Sequence, residues 1–201
     1  MIDRLIDRCV FFMINNGAVV DTEDQREIYK YGLELQFYYV LHGAILLGLG
    51  LLFGQALEVA LLLFLFGMLQ SNGGGFHANT HTRCFLIMAC AVLVFMALLP
   101  IYQSFIAVQA VSILTSLAII LCLAPVAHKN HPLNPEMSKR MGKRAKVIAG
   151  IFALTWCLLL LLSILPFLLG VISLVMALSG VSMIAAWVKN YRESKADCTE
   201  A

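Results

Sequence analysis

Between Leu35 and His128 the chain carries only two formally charged residues, Glu58 and Arg83. A stretch of that length cannot wrap itself in solvated side chains, so it calls for surroundings as apolar as itself. Inside a bilayer every backbone N–H and C=O must be bonded within the chain, which leaves helices or a closed barrel. The apolar runs here are continuous rather than alternating, so helices are expected. Composition agrees: 61% of residues are hydrophobic and 13% charged, against about 45–50% and about 25% in soluble domains. The expectation is an all-α integral membrane protein, a single membrane domain over residues 1–201. The net charge of +2 gives no reason to expect a nucleic-acid partner.

The apolar sequence divides by length. Leu35 to Leu69 as one helix would run about 52 Å, well beyond the hydrocarbon core of a bilayer. Gly54-Gln55 is the natural break. Six spans follow, at 35–54, 56–70, 84–100, 102–124, 147–165 and 167–188, with Pro100 and Pro166 dividing the later pairs. Ahead of them, Ile2, Leu5, Ile6, Cys9, Val10, Phe12 and Met13 recur near a helical period against Asp3, Arg4, Asp7 and Arg8. That predicts an amphipathic interfacial helix. A second short helix is expected over Thr22 to Tyr31, with Glu23 and Asp24 in its first turn. Residues 125–146 read as a loop carrying Pro125, Pro132 and Pro135 and then a basic run of Lys139, Arg140, Lys143, Arg144 and Lys146. The tail from Lys189 reads as polar and frayed.

Charge placement orients this layout. The N-terminal helices, residues 71–83, the basic 125–146 loop and the 189–201 tail fall on one side, and the opposite loops carry no Lys or Arg. The positive-inside rule makes the charged side the cytoplasm. Met1-Ile2-Asp3-Arg4 lacks the layout of a cleavable signal peptide, so the first span is expected to direct insertion. The six cysteines (Cys9, Cys84, Cys90, Cys122, Cys157, Cys198) form no C-x-x-C pair, and no disulfide framework is expected.

One polar stretch interrupts the apolar sequence, Ser71-Asn72-Gly73-Gly74-Gly75-Phe76-His77-Ala78-Asn79-Thr80-His81-Thr82-Arg83-Cys84. Three glycines in a row cost a helix about 1 kcal/mol each, so the chain should leave helical geometry here. His77 and Cys84 are seven apart. On one continuous helix they would lie about 10.5 Å apart along the axis, too far for a hydrogen bond, so a working pair requires the segment to fold back. His77 would then serve as general base and acid, and Cys84 as nucleophile at a helix N-terminus beside Arg83. On the chemistry alone, an interfacial loop with a packed histidine and an unreactive cysteine explains the same residues. A third reading places His77, His81 and Cys84 on one helical face as metal ligands, in a metal-binding membrane protein or transporter.

Gly74-Gly75-Phe76-His77-Ala78-Asn79-Thr80 followed by Cys84 resembles the signature of the accessory gene regulator B (AgrB) family of membrane peptidases, a Gly-Gly-x-His-Ala segment with a cysteine seven residues after the histidine. Tyr29-Lys30-Tyr31-Gly32-Leu33-Glu34 is similar to the family's Tyr-Gly-x-Glu segment. Ala124-Pro125 with Lys129-Asn130-His131-Pro132-Leu133 is similar to a further family segment. Two positions depart: Gln70 stands where the family often has an arginine, and Met88 where it commonly has a serine. The resemblance implies a cysteine endopeptidase with a His77–Cys84 dyad and no cofactor. It would process an AgrD-like precursor of a cyclic signalling peptide in quorum sensing. It also allows a homodimer.

Other residues carry paired readings. Glu34 would orient His77 or bind the precursor, or would simply face headgroups. Gly75 and Asn79 would support the site, Asn79 by holding the histidine tautomer or only by forming a turn. Glu58 is expected in a topology or packing role and His42 in a buried polar contact. The basic run would anchor the chain to anionic lipid of the bilayer or meet an acidic precursor tail.

Overall fold

A computed structural model describes residues 2–17, 22–76, 80–126 and 134–199. Among them are seven helices and no strand: α1 (Ile2–Asn15), α2 (Glu23–Leu52), α3 (Ala56–Gly73), α4 (His81–Ser104), α5 (Ile106–Leu123), α6 (Pro135–Leu162) and α7 (Pro166–Thr199). The last six are each long and apolar enough to cross a membrane. The molecule forms two compact units, Met1–Leu49 and Gly50–Ala201.

In the first unit, α1 buries Ile6 and Val10, one turn apart, and leaves Asp7 and Arg8 exposed. Lys30 of α2 pairs with Asp7 of α1 at 2.8 Å. The expected short helix over Thr22 to Tyr31 is not separate: it is the opening of α2, which runs unbroken to Leu52. The reason is local. Gly32 is the only weak helix former between Tyr31 and Glu34, and one glycine costs a helix only about 1 kcal/mol.

The second unit is organised around α7. Of its apolar window 61% is buried, against 22% for α3, α4 and α5. Val171, Leu174, Val175, Met176 and Met183 are fully enclosed there. Lining the outside, Leu86, Leu93, Val94, Val111, Leu114, Ile151 and Leu154 are exposed, as side chains facing lipid should be. The α2–α3 break falls at Phe53-Gly54, with Gly54 at φ +69, and the α6–α7 break at Ser163 to Leu165 before Pro166. Both sit where the sequence put them.

Three boundaries differ from expectation. α4 runs through Pro100 to Ser104. Proline removes one N–H and clashes one turn back, which kinks a helix without having to end it, and the chain turns only at Phe105 (φ −122°, ψ 96°). The basic run is not loop but the first turns of α6. The Asn134 side chain accepts the Glu136 N–H at 3.4 Å, and Pro135 at the first helical position presets φ. Finally, the tail is helical to Thr199 as a continuation of α7, where fraying was expected.

One end of this unit holds a buried polar cluster. Gln109, 2% exposed, donates through Nε2 to the Tyr102 carbonyl and accepts the Trp156 indole N–H through Oε1 at 3.1 Å. Tyr102 Oη and Ser112 Oγ share a further hydrogen bond at 2.9 Å. In lipid such groups must find protein partners, and this cluster ties α4, α5 and α6 together.

Candidate active site

At the other end, α3 stops at the glycines. Gly73 is its last helical residue, and Gly74 takes φ 72°, ψ 173°, a combination essentially closed to residues with a side chain. The Gly74 N–H still reaches the Gln70 carbonyl at 3.1 Å, and the Val126 N–H donates to the Gly73 carbonyl at 2.9 Å. A Cβ on Gly74 would lie 2.2 Å from the Val126 carbonyl oxygen. The absent side chain is therefore the space into which the 124–126 segment docks.

Gly75 is buried by a different neighbour. A Cβ there would lie 1.6 Å from Gln70 Oε1, so the Gln70 amide covers the bare Cα of Gly75. That amide donates through Nε2 to Ser182 Oγ of α7 at 2.6 Å. The same Ser182 Oγ accepts the Phe76 N–H at 3.1 Å. The ammonium of Lys189 lies 5.4 Å from the centre of the Phe76 ring, within range of a cation–π attraction.

The chain re-enters helix at His81. Thr80 is extended (φ −135°, ψ 147°) and caps α4, its side chain accepting the Arg83 N–H at 3.3 Å. The Cys84 N–H bonds the Thr80 carbonyl at 3.0 Å, so Cys84 stands in the first turn of α4. There the helix dipole favours negative charge. Cys84 is a half-buried free thiol, whereas Cys9, Cys90, Cys122 and Cys157 are exposed free thiols. The Arg83 side chain of the same turn is exposed.

His77 and Asn79 lie outside the described residues, as does the side chain of His81. What is described bears on the spacing: residues 74–76 and Thr80 are non-helical, so no continuous helix joins residue 77 to residue 84. The backbone of His81 and Cys84 does share the first turn of α4. Among the described residues no three His, Cys, Asp or Glu side chains gather as metal ligands. Glu34 is half-buried on α2 in the first unit. Glu58 sits in the first turn of α3, where a carboxylate favours the helix. His42 packs its ring 5.7 Å from that of Tyr38.

Beside the glycine turn, a groove of about 540 Å³ is lined by Ala124 and Pro125 and, from α6, by Gly142, Lys139, Lys143 and Lys146 among others. The basic run thus turns three cations onto one face, at helical spacing. The sequence marks Gln70 only as a departure from the family pattern and gives Ser182 no role. The available signal was the pair of serines Ser179 and Ser182 inside a largely apolar span.

Comparison with known proteins places the chain. The family model for Accessory gene regulator B matches residues 6–186. No curated protein and no solved structure matches it.

Proposed function

Since the chain belongs to the accessory gene regulator B family, which is linked to quorum sensing and peptide-precursor processing, we propose that it is a membrane cysteine endopeptidase with cyclising activity. The observation that carries this reading is Cys84, a half-buried free thiol in the capped first turn of α4, reached from α3 through a glycine turn. The Sγ of Cys84 attacks a backbone carbonyl of the precursor while His77 takes the thiol proton. The peptide C–N bond then breaks, and His77 returns the proton to the leaving amine. The N-terminal fragment stays on Cys84 as a thioester. His77 then takes the proton of an internal thiol or hydroxyl of that fragment as it attacks the thioester carbonyl, closing a thiolactone or lactone; Cys84 is expelled as thiolate and recovers that proton.

Exchanging the Cys84 thioester for a ring thioester or ester conserves or lowers acyl activation, so the cyclisation step itself needs no nucleotide. It must outrun hydrolysis, which a partly dehydrated site at the membrane edge favours. Arg83 supports the anionic steps, Asn79 the histidine tautomer, Glu34 the precursor. The groove of Lys139, Lys143 and Lys146 suits an acidic tail. In this reading the face is cytoplasmic, in line with the positive-inside rule, and the membrane is that of a bacterial cell, as the family suggests.

The test is product mass. Purified protein in proteoliposomes is given a pool of peptides with an internal Cys or Ser and an acidic C-terminal tail. The reading predicts a released tail and an N-terminal product one water lighter than the linear acid, both lost in Cys84→Ala. Release that persists in Cys84→Ala would overturn it.

A further inference from the structure

Ser182 stands outside every element so far given a chemical role, yet it holds the glycine turn at both ends. Its Oγ accepts from the Gln70 side chain, on the last turn of α3 before the glycines, at 2.6 Å. It also accepts from the Phe76 N–H, the first residue after them, at 3.1 Å. A hydroxyl oxygen has two lone pairs, and these two donors use both. The two bonds span residues 70 to 76, so a single atom of α7 fixes where the turn closes. Two turns further along the same face of α7, Lys189 reaches the Phe76 ring. The backing is rigid: Met183 and Ala186 are buried in the core, so Ser182 is carried on the most enclosed helix of the unit.

From this geometry we infer that Ser182 is a positioning residue of the site: it sets the backbone of Phe76, and with it the direction in which the chain delivers the next residue, His77. The inference rests on the proposed His77–Cys84 pairing. It makes α7, which contributes no reacting group, the member against which the base is registered. A fixed acceptor in this place also keeps the part-buried Phe76 amide paired.

The experiment is the rate of Cys84 alkylation by dilute iodoacetamide at about pH 6 in nanodiscs, a condition in which only an activated cysteine reacts quickly. It compares wild type, His77→Ala, Ser182→Ala and Ser182→Thr. Amide hydrogen exchange of the peptide spanning 70–76 is followed in the same samples. If Ser182 positions the turn, Ser182→Ala slows Cys84 labelling about tenfold, in step with one lost backbone hydrogen bond. It also speeds exchange at Phe76, while Ser182→Thr, which keeps the hydroxyl, restores both. Should Ser182→Ala fail to fold, Ser182→Cys, close in volume with a weaker acceptor, is measured instead. Wild-type labelling that depends on His77 but is unchanged in the folded Ser182 variant overturns this inference alone. Wild-type labelling that is unselective, or indifferent to His77→Ala, overturns the dyad and the inference with it.

Discussion

Gly74→Ala should unseat the candidate site while leaving the helical bundle in place. At φ 72°, ψ 173° an alanine is held in a region that costs about 1–3 kcal/mol for a residue with a Cβ. The new methyl would also lie 2.2 Å from the carbonyl oxygen of Val126. That obstacle is backbone and cannot rotate away, so Val126 must withdraw and give up its 2.9 Å bond to the Gly73 carbonyl, worth about 1 kcal/mol. Together these give about 2–4 kcal/mol, roughly a thirty- to thousandfold shift away from the seated turn. The assay pairs thermal unfolding in nanodiscs with release of a peptide tail. Gly67→Ala is the control, since a Cβ there meets nothing within 4 Å on the exposed side of α3. It should be neutral or stabilising by up to about 1 kcal/mol. If Gly74→Ala and Gly67→Ala prove alike in both measurements, the argument from the glycine turn is wrong.

Further outcomes follow from the same contacts. Gly75→Ala meets the end of a flexible side chain, Gln70 Oε1, so it should harm tail release less than Gly74→Ala. A Gln70→Ala/Gly75→Ala double variant should then lose less than the sum of its parts, as a double-mutant cycle would read. Thr80→Ala removes the cap on α4 and should destabilise by about 1 kcal/mol, read as faster hydrogen exchange in residues 81–84. Gln109→Leu leaves the Trp156 N–H, donated to Gln109 at 3.1 Å, without its acceptor. It should lower stability by about 1–3 kcal/mol with no change in Cys84 labelling, because the cluster is at the other end of the bundle.

What the sequence made legible was what local chemistry decides. Continuous apolar runs specify membrane helices, and three consecutive glycines specify where α3 must stop, because both follow from the solvent and the backbone alone. Helix ends governed by longer-range packing were less readable. Pro100 looked like a terminus but lies one turn inside α4, and the basic run looked like a loop because its cap, Asn134, stands among prolines. Cys84 stands out in the sequence by its spacing and the family resemblance, and the structure places it in the first turn of α4. Ser182 does not stand out, because its partners are 106 and 112 residues away and nothing local marks a serine in an apolar span as an acceptor for them. Gln70 was read only as a departure from an arginine, whereas its amide fills the space that Gly75 leaves open.

The most direct test of the account is whether Cys84 is an activated thiol paired with His77. All six cysteines are labelled with dilute iodoacetamide at about pH 6, with and without chelator, and mapped by mass spectrometry in wild type and His77→Ala. The account predicts selective labelling of Cys84, lost in His77→Ala and indifferent to chelator. Labelling of Cys84 no faster than that of Cys9 or Cys198, or appearing only once chelator is added, would contradict it.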